Sequence, residues 1–188
     1  MPGLSPEESR RYVRHTMMPT FGEEAQLRLK NSSVLIVGVG GLGTPAATYL
    51  AAAGAGTVGL IDSDVVSESN LQRQVLFATK DIGEPKLDVV GRRLQELNPL
   101  IEIKQHSGRL TAENALELIR PYDLVIDGSD NFPTRFAVAD ACVLLGKPNV
   151  YGSIYQFEGQ STVFAPHLGG PCYRCMLPEP PPEGAAPT

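Results

Sequence analysis

Val34-Leu35-Ile36-Val37-Gly38-Val39-Gly40-Gly41-Leu42-Gly43 is the stretch that decides the fold of this 188-residue chain. Its β-branched apolar run predicts a strand, its glycines predict a tight turn, and the alanine-rich residues 45–53 predict a helix. The N-terminus of such a helix presents unpaired N–H groups and the positive end of its dipole, which together attract phosphate. Gly38, Gly40 and Gly43 fit the G-x-G-x-x-G fingerprint of dinucleotide-binding folds. The fingerprint alone is weak evidence, because a glycine-lined turn without a ligand gives the same pattern.

Length and composition indicate a single globular domain with a sizeable core. The chain is 42% hydrophobic, and its net charge of −5 argues against DNA binding and against a basic membrane-binding surface. No apolar run approaches the roughly 20 residues that span a membrane. The acidic N-terminus is not typical of a secretory signal, and three cysteines do not form a disulfide framework. We therefore expect a cytoplasmic protein.

Apolar runs and helical patterns alternate along the chain. This alternation predicts a Rossmann-like α/β fold, in which a mainly parallel β-sheet is flanked by helices and preceded by an N-terminal helical segment. Strands are predicted at 34–37, 58–62, 101–103, 123–127, 150–153 and 160–164, and helices at 5–15, 23–30, 45–53, 85–97, from an N-cap at Thr111, and at 132–145. The chain divides into N-terminal helices (1–30), a Rossmann-like domain (31–170) and a cysteine pair with a proline-rich tail that we expect to be unfolded (171–188).

Three polar features fall where predicted strands end: the glycine turn, Asp62 with Asp64, and residues 127–131. Asp62 lies 19 residues after Gly43, close to the position at which an acid holds the ribose hydroxyls in Rossmann-type units. Asp64 is near enough in sequence to reach the same rim. Because the carboxyl ends of parallel strands share one edge of the sheet, we expect all three features at one ligand-binding crevice.

The glycine turn is not a P-loop. Thr44-Pro45 stands where that motif has Lys followed by Ser or Thr, so the cations and the metal ligand for phosphates must come from elsewhere. Arg73 offers a planar fork to phosphate oxygens, Lys86 a point charge, and Asp130 an oxygen ligand for Mg²⁺.

A NAD(P)-binding oxidoreductase is an alternative that only the fingerprint and Asp62 support. Such an enzyme usually places an acid–base residue such as histidine beside the hydride acceptor. His15, His106 and His167 are isolated in this sequence and are predicted to lie on the surface.

The motifs taken together resemble the MoeB/ThiF/HesA family, the bacterial relatives of ubiquitin-activating enzymes. The resemblance extends from about residue 9 to residue 182. It is carried by the glycine turn, Asp62-Ser63-Asp64, Ser69-Asn70-Leu71-Gln72-Arg73-Gln74, residues 83–86, Asn98-Pro99, Asp127-Gly128-Ser129-Asp130-Asn131 and Cys172-Tyr173-Arg174-Cys175.

The resemblance implies an ATP-dependent adenylyltransferase. Family members adenylate the C-terminal glycine carboxylate of a small ubiquitin-like sulfur carrier of the MoaD or ThiS kind, which ends in Gly-Gly, and release pyrophosphate. Sulfur then passes to molybdopterin, thiamine or a thiolated tRNA base. A family member that activates a tRNA-bound carboxylate is a related alternative. The net negative charge of the chain argues against it, because RNA binding favours positive charge.

The resemblance also implies roles for individual residues. Gly41 contacts the nucleotide, Asp62 holds the ribose, Arg73 and Lys86 bind phosphates, and Asp130 binds Mg²⁺. Asn70, Gln74 and Asn131 make lesser contacts. Arg14 matches an arginine that enters the ATP site of a partner subunit, which implies a homodimer whose dimer arm is the N-terminal segment.

Cys172 and Cys175 have the C-x-x-C spacing of half a zinc site. The remaining cysteine, Cys142, is predicted to be core, so the pair is metal-free, is a redox pair, or binds zinc weakly with His167 or another chain. We favour the metal-free interpretation, since the prolines nearby argue against the helix start that a redox pair prefers. Family members continue beyond this point with further strands and a second C-x-x-C. The chain is therefore expected to be truncated, and a catalytically incomplete nucleotide-binding fragment is a further alternative.

Overall fold

A six-stranded β-sheet forms the centre of the computed structural model, which describes residues 3–182. The strands lie in the order β3-β2-β1-β4-β5-β6, and all neighbours are parallel except β5 and β6. Their bounds are β1 Ser33–Val37, β2 Thr57–Asp62, β3 Glu102–Ser107, β4 Leu124–Asp127, β5 Asn149–Tyr155 and β6 Glu158–Phe164. The predicted Rossmann-like, mainly parallel sheet is confirmed.

Eight α-helices surround this sheet in residues 3–182. Short 3₁₀ turns lie at Glu68–Asn70, Thr79–Asp81 and Pro166–Leu168. The α-helices are α1 Pro6–Arg11, α2 Val13–Thr16, α3 Gly22–Lys30, α4 Gly43–Ala53, α5 Lys86–Leu97, α6 Ala115–Ile119, α7 Phe132–Leu145 and α8 Tyr173–Met176. No helix of this described range is long and apolar enough to cross a membrane.

The strand β1 is central because its side chains are apolar on both faces. Leu35 and Ile36 point to opposite sides of the sheet and are both fully buried. One face packs with residues of α4 and α5, and the other packs with residues of α6 and α7. The glycine turn that follows β1 is therefore held by two packed layers.

The N-terminal segment is two helices where one was predicted at 5–15. The first begins with a reciprocal cap, in which Ser5 and Glu8 each bind the other's backbone N–H. It ends at Arg11, and the next residue, Tyr12, turns inward and is 4% exposed. The Tyr12 hydroxyl accepts a hydrogen bond of 2.8 Å from Asn98 Nδ2. Tertiary anchoring of this ring breaks the helix that local propensity favours.

Two further predictions about helix starts were wrong. The predicted cap at Thr111 is displaced, because α6 begins at Ala115 after Asn114, whose Oδ1 accepts from the Thr111 N–H. The prolines do not prevent a helix at the cysteine pair, because Cys172 lies at the N-cap of the single turn α8. Of the predicted unfolded tail, residues 183–188 lie outside the described range, and residues 177–182 form neither helix nor strand.

Candidate functional site

A cavity of ≈ 390 Å³ lies at the carboxyl ends of β1, β2 and β4, where the sequence places its polar turns. Most of the predicted site residues line it: Gly38, Gly40, Gly41, Asp62, Asp64, Arg73, Gln74, Lys86, Asp130 and Asn131. Gly43, Asn70 and Arg14 do not line it. The convergence expected from the strand ends is therefore present.

The glycines of the fingerprint have different structural roles. Gly38 has a φ of 84°, and a Cβ there would lie 3.0 Å from the Gly128 carbonyl oxygen. A Cβ on Gly43 would lie 1.8 Å from the Gly38 carbonyl oxygen, so this glycine lets α4 start directly against the turn. Gly40 and Gly41 instead leave backbone exposed at the cavity wall. The fingerprint thus divides into glycines that shape the turn and glycines that open it to a ligand.

Asp62, at the end of β2, holds the glycine turn in place through its carboxylate. Its Oδ2 accepts a hydrogen bond of 2.8 Å from the Val39 N–H, and its Oδ1 accepts one of 2.8 Å from the Asp64 N–H. Each carboxylate oxygen keeps lone-pair capacity for a further donor. The carboxylate is therefore oriented by backbone and able to accept from a hydroxyl in the cavity.

Lys86 is a cation held at the inner wall of the cavity. The residue is 4% exposed, and its ammonium pairs with Asp64 Oδ2 at 3.1 Å. Its backbone N–H also donates to the Asp64 carbonyl at 3.0 Å, so side chains and backbones join the two residues. Asp64 thus contacts the lysine directly, and half of its own side chain remains exposed to the cavity.

The segment from Asn70 to Gln74 forms another part of the wall. Arg73 is exposed, and its Nη1 donates to the Ser69 carbonyl at 3.0 Å and to Gln72 Oε1 at 3.2 Å. The neighbouring Gln74 is buried, and its Oε1 has no hydrogen-bond partner among residues 3–182. Asn70 Oδ1 instead accepts from the Ser67 N–H at 3.4 Å, so its side chain closes a 3₁₀ turn outside the cavity.

The loop after β4 is fixed on both sides of Asp130. Asp127 Oδ1 accepts from the N–H and the hydroxyl of Ser129, at 3.0 and 2.6 Å. Asn131 Oδ1 accepts from the Thr134 N–H at 3.0 Å and caps α7. Asp130 is exposed, and in the described part of the chain no hydrogen bond or ion pair engages its carboxylate.

Asp127 is buried behind this loop. Its Oδ2 has no partner within the described residues, and burial raises the pKa of its carboxyl, although the Ser129 hydrogen bonds and the Arg135 charge oppose the rise. This acid supports the loop and lies behind the cavity wall.

Two arginines in the cavity wall escaped the sequence reasoning. Arg109 follows the turn at Gly108 and donates from Nε to Ser63 Oγ at 3.1 Å. Arg135 lies on the first turn of α7, where it binds the Ser129 carbonyl. The sequence does hold a signal for Arg135. It lies four residues after the cap residue Asn131, and residues four apart lie on one face of a helix.

The other candidate residues lie outside the cavity. Arg14 is exposed on α2. His15 Nδ1 lies 2.8 Å from Gln26 Oε1, and His106 Nε2 lies 2.6 Å from the Tyr122 hydroxyl, so these two half-buried histidines are not simply surface residues as predicted. Burial lowers the pKa of His106, and Lys104 adds to this effect. The remaining histidine, His167, is exposed as predicted.

The cysteines divide as their sequence positions suggested. Cys142 is buried in the core, and burial raises the pKa of its thiol to about 12. The Sγ atoms of Cys172 and Cys175 lie 3.7 Å apart. Two corners of a zinc tetrahedron with Zn–S bonds of about 2.3 Å would be about 3.8 Å apart, so the pair fits half of such a site. Nowhere in residues 3–182 do three His, Cys, Asp or Glu side chains converge as metal ligands.

Comparisons with known proteins agree with this arrangement. A model described as the ThiF family matches residues 12–188. A sulfur carrier protein adenylyltransferase of Thermus thermophilus is 58% identical over 97% of this chain and 69% of its own length. A probable adenylyltransferase/sulfurtransferase of Mycobacterium tuberculosis, MoeZ, is 52% identical over 98% of this chain and 48% of its own length.

A solved structure gives the same fold. Escherichia coli tRNA N6-threonylcarbamoyladenosine dehydratase, TcdA, in complex with ATP, matches with a TM-score of 0.75 and 27% identity, over 81% of this chain and 64% of that one. The chain thus spans between 48% and 69% of the length of these three proteins. With a family model that matches most of its length, the chain belongs to the ThiF family.

Proposed function

We propose that this chain transfers AMP from ATP to the C-terminal glycine carboxylate of a ubiquitin-like sulfur carrier that ends in Gly-Gly, with release of pyrophosphate. The observation that supports it best is the cavity, in which a glycine turn, four basic side chains and three carboxylates converge. The names of the relatives support the carrier as substrate and disfavour a NAD(P)-binding oxidoreductase. The cavity lies within residues 31–170, which we take as the adenylation domain.

The reaction needs cations more than it needs a base. A C-terminal carboxylate has an ordinary pKa of about 3.3–3.7, so it is already ionised at neutral pH and attacks the α-phosphorus without losing a proton. The barrier lies in bringing one anion to another and in stabilising the charge on the leaving pyrophosphate. Lys86 and Arg73 both line the cavity and would supply this positive charge.

The remaining cavity residues would orient ATP. Asp62 would accept hydrogen bonds from the ribose hydroxyls, and the exposed backbone of Gly40 and Gly41 would allow close approach of the phosphates. Gln74 would donate or accept at the same wall, where its Oε1 lacks a partner among the described residues. Asn131 would contribute through its amide nitrogen, since its oxygen caps α7.

Asp130 fits a magnesium site of the kind that nucleotides complete. Mg²⁺ with a nucleotide is usually held by one or two carboxylates, substrate phosphates and water, and Asp130 is an exposed carboxylate on the cavity wall. When bound, the ion would neutralise charge on the phosphates. The protein residues would hold and orient it.

The proposed activity predicts a specific loss at Asp130. Asp130→Ala should abolish carrier-driven exchange of labelled pyrophosphate into ATP, because it removes the carboxylate that orients the metal. The fold should persist, since Asp130 makes no hydrogen bond in the described part of the chain. Unimpaired exchange in this variant would refute the metal-ligand role.

We further propose a cytoplasmic homodimer in which Arg14 reaches the partner's cavity. Its exposure on α2, away from its own cavity, supports this arrangement. Arg14→Ala and Lys86→Met should each lose exchange activity, and a mixture of the two should regain part of it, because mixed dimers contain one intact site. Inactivity of the mixture would contradict the shared site.

Zinc at Cys172 and Cys175 would need two ligands from outside residues 3–182 or from another chain. The metal-free interpretation of the pair stays a prediction, which metal analysis of the purified protein tests. The carrier's pathway, molybdopterin, thiamine or thiolated tRNA, depends on which carrier the chain accepts.

A further inference from the structure

The loop that carries Asp130 is fixed by an arginine of the neighbouring helix. We propose that Arg135 is a positioning residue: its guanidinium holds the Ser129 carbonyl so that the Asp130 carboxylate faces the cavity. The inference rests on the proposed function only for the Mg²⁺–nucleotide that Asp130 would meet. The ordering of the loop is a property of the ligand-free protein.

The first evidence is a forked contact on a single atom. Arg135 Nε donates to the Ser129 carbonyl oxygen at 3.2 Å, and Nη2 donates to the same oxygen at 2.9 Å. Two donors in one plane fix both the position and the direction of this carbonyl. Since Ser129 immediately precedes Asp130, the peptide that joins them is held in place.

The guanidinium is itself held by aromatic neighbours. Its Nη1 donates to the Tyr151 hydroxyl at 3.3 Å, and its carbon lies 5.5 Å from the centre of the Tyr151 ring and 5.7 Å from that of Phe132. Tyr151 is 3% exposed and packs against Phe164 and Tyr173. Arg135 therefore connects the loop to a rigid part of the core.

Several polar groups beside Asp130 are already bonded within the chain. The N–H and hydroxyl of Ser129 bind Asp127, its carbonyl binds Arg135, and the Asn131 oxygen caps α7. Among residues 3–182, no hydrogen bond or ion pair engages the Asp130 carboxylate, and Asp127 Oδ2, buried behind the loop, also has no partner. These contacts hold the chain on both sides of Asp130 and leave its carboxylate available at the cavity wall.

A direct contact between Arg135 and a phosphate is the competing explanation, since the residue also lines the cavity. Three of its five N–H groups already donate within the chain. An Arg135→Lys variant distinguishes the effect of the charge from that of the contact geometry. Lysine keeps the positive charge, but it cannot place two coplanar N–H donors on one carbonyl oxygen.

The experiment measures loop order and nucleotide affinity separately. Arg135→Met, Arg135→Lys, Asp130→Asn and the Arg135→Met/Asp130→Asn double variant are compared with the wild type, and the exposed Arg120→Met serves as a matched control. Hydrogen exchange reports on residues 128–131 of the ligand-free protein. Calorimetry gives the affinity for a non-hydrolysable ATP analogue with Mg²⁺ and with EDTA. Thermal unfolding confirms that each variant is folded.

We expect both Arg135 variants to increase exchange in residues 128–131, whereas Asp130→Asn and Arg120→Met leave it unchanged. Loss of a supporting residue typically weakens metal binding about tenfold or more, so the gain in affinity from Mg²⁺ should shrink by that factor. Affinity in EDTA should stay within about twofold for Arg135→Lys. The double variant should show no smaller gain from Mg²⁺ than Asp130→Asn alone, because both residues act through one carboxylate.

Unchanged exchange of the loop in both Arg135 variants would overturn the proposal, whatever the nucleotide results. Equal losses of affinity with and without Mg²⁺ would also overturn it, because they would indicate a direct phosphate contact. If the wild type binds no nucleotide while the loop still loosens in the variants, the proposed function fails and the positioning role stands.

Discussion

Lys86 places a positive charge where helix electrostatics disfavour it. It is the first residue of α5, and the N-terminus of a helix is the positive end of the dipole. The residue is almost completely buried, with the partly exposed Asp64 as its ion-pair partner. A fold selected for stability alone gains little from this arrangement, whereas an anion in the cavity would meet both the ammonium and the helix N-terminus.

Replacing the charge of Lys86 should reduce activity while leaving the free energy of unfolding nearly unchanged. We predict that Lys86→Met lowers carrier-driven pyrophosphate exchange about 100-fold, in line with loss of one stabilising charge at a reacting centre. The free energy of unfolding should change by less than about 1 kcal/mol, because Asp64 remains hydrated and the dipole conflict is removed.

The matched control for this prediction is Lys104→Met, which removes an exposed lysine from β3. It should leave both exchange and urea unfolding unchanged. Loss of activity in proportion to loss of stability in Lys86→Met would contradict the assigned role.

At the residue scale, the sequence was enough to predict that the polar side chains after the strand ends meet at one cavity. Asp62 and Asp130 could be found because parallel strands bring their carboxyl ends to one edge. Asn70 lies outside the cavity lining because its side-chain oxygen closes a local turn, as Asn side chains commonly do, and its predicted nucleotide contact stays a prediction. Arg135 was missed because its contact with the Ser129 carbonyl depends on how α7 leaves the loop.

The unit formed by β1, the glycine turn and α4 contains two kinds of glycine. A Cβ on Gly43 would overlap the Gly38 carbonyl, whereas a Cβ on Gly41 would meet Arg73 Cδ at an ordinary 3.8 Å. A larger side chain at Gly43 would disturb the fold, whereas a larger side chain at Gly41 would enter the cavity. The two substitutions should therefore fail in different assays.

We predict that Gly43→Ala lowers the free energy of unfolding by about 3 kcal/mol or more, because α4 must move away from the turn. For Gly41→Ala the free energy of unfolding should stay within about 0.5 kcal/mol of the wild-type value. This variant should bind ATP more weakly, since its methyl group narrows the cavity. Urea unfolding and calorimetry with ATP measure the two effects. Similar stability losses in both variants would contradict this division.

A buried carboxylate anchors the loop that leads to α5. Asp81 is fully buried, accepts from the Ala78 N–H at 2.7 Å and pairs with Arg93 at 2.5 Å. Burial raises the pKa of Asp81, but the Ala78 hydrogen bond and the Arg93 charge outweigh it and lower the pKa overall. The folded state thus favours the ionised form.

The lowered pKa makes this contribution to stability pH-dependent. Because the folded-state pKa lies below the unfolded value of about 3.9, the stabilisation is complete above pH 3.9 and is lost as the pH falls through the folded value. We predict that Asp81→Asn lowers the free energy of unfolding by about 2 kcal/mol at pH 7, and by less at pH 3. Urea unfolding at both values measures this, with the exposed Asp88→Asn as control. A constant difference between the two pH values would contradict it.

At the element scale, periodicity predicted most helices and strands but not their interruptions. The break at Tyr12 arises from a ring that packs against distant residues, and the turn of α8 depends on Tyr173 docking into an aromatic cluster. Neither contact is visible in a local pattern. Helix α7 began where predicted because its cap and proline are local signals.

The end of the described chain is held to the sheet by aromatic packing. Tyr173 is 1% exposed and contacts Phe136, Tyr151 and Phe164, and burial raises the pKa of its hydroxyl to about 12. Arg174 adds a forked ion pair with Asp140 of α7. The cysteine pair is thereby fixed beside the helix that leaves the Asp130 loop.

We predict that Tyr173→Ala lowers the free energy of unfolding by about 3 kcal/mol, since a fully packed aromatic ring is replaced by a cavity. Met176→Ala, at a residue of α8 that is 45% exposed, should change it by less than about 1 kcal/mol. Equal effects of the two substitutions in urea unfolding would contradict the anchoring role of Tyr173.

At the scale of the whole molecule, the alternation of strands and helices was enough to predict the parallel sheet and the edge at which the cavity opens. The proposed dimer and the proposed carrier contact could not be predicted from this alternation, because each would depend on surfaces that meet another chain. The central claim therefore concerns the cavity and the carboxylate that enters it.

Exchange of labelled pyrophosphate into ATP tests that claim most directly. The protein is incubated with ATP, Mg²⁺ and a ubiquitin-like carrier that ends in Gly-Gly, and in parallel with the same carrier lacking its last two glycines. We predict that label enters ATP only with the intact carrier. Binding of ATP without exchange, or exchange that ignores the carrier's C-terminus, would contradict the proposed adenylyl transfer.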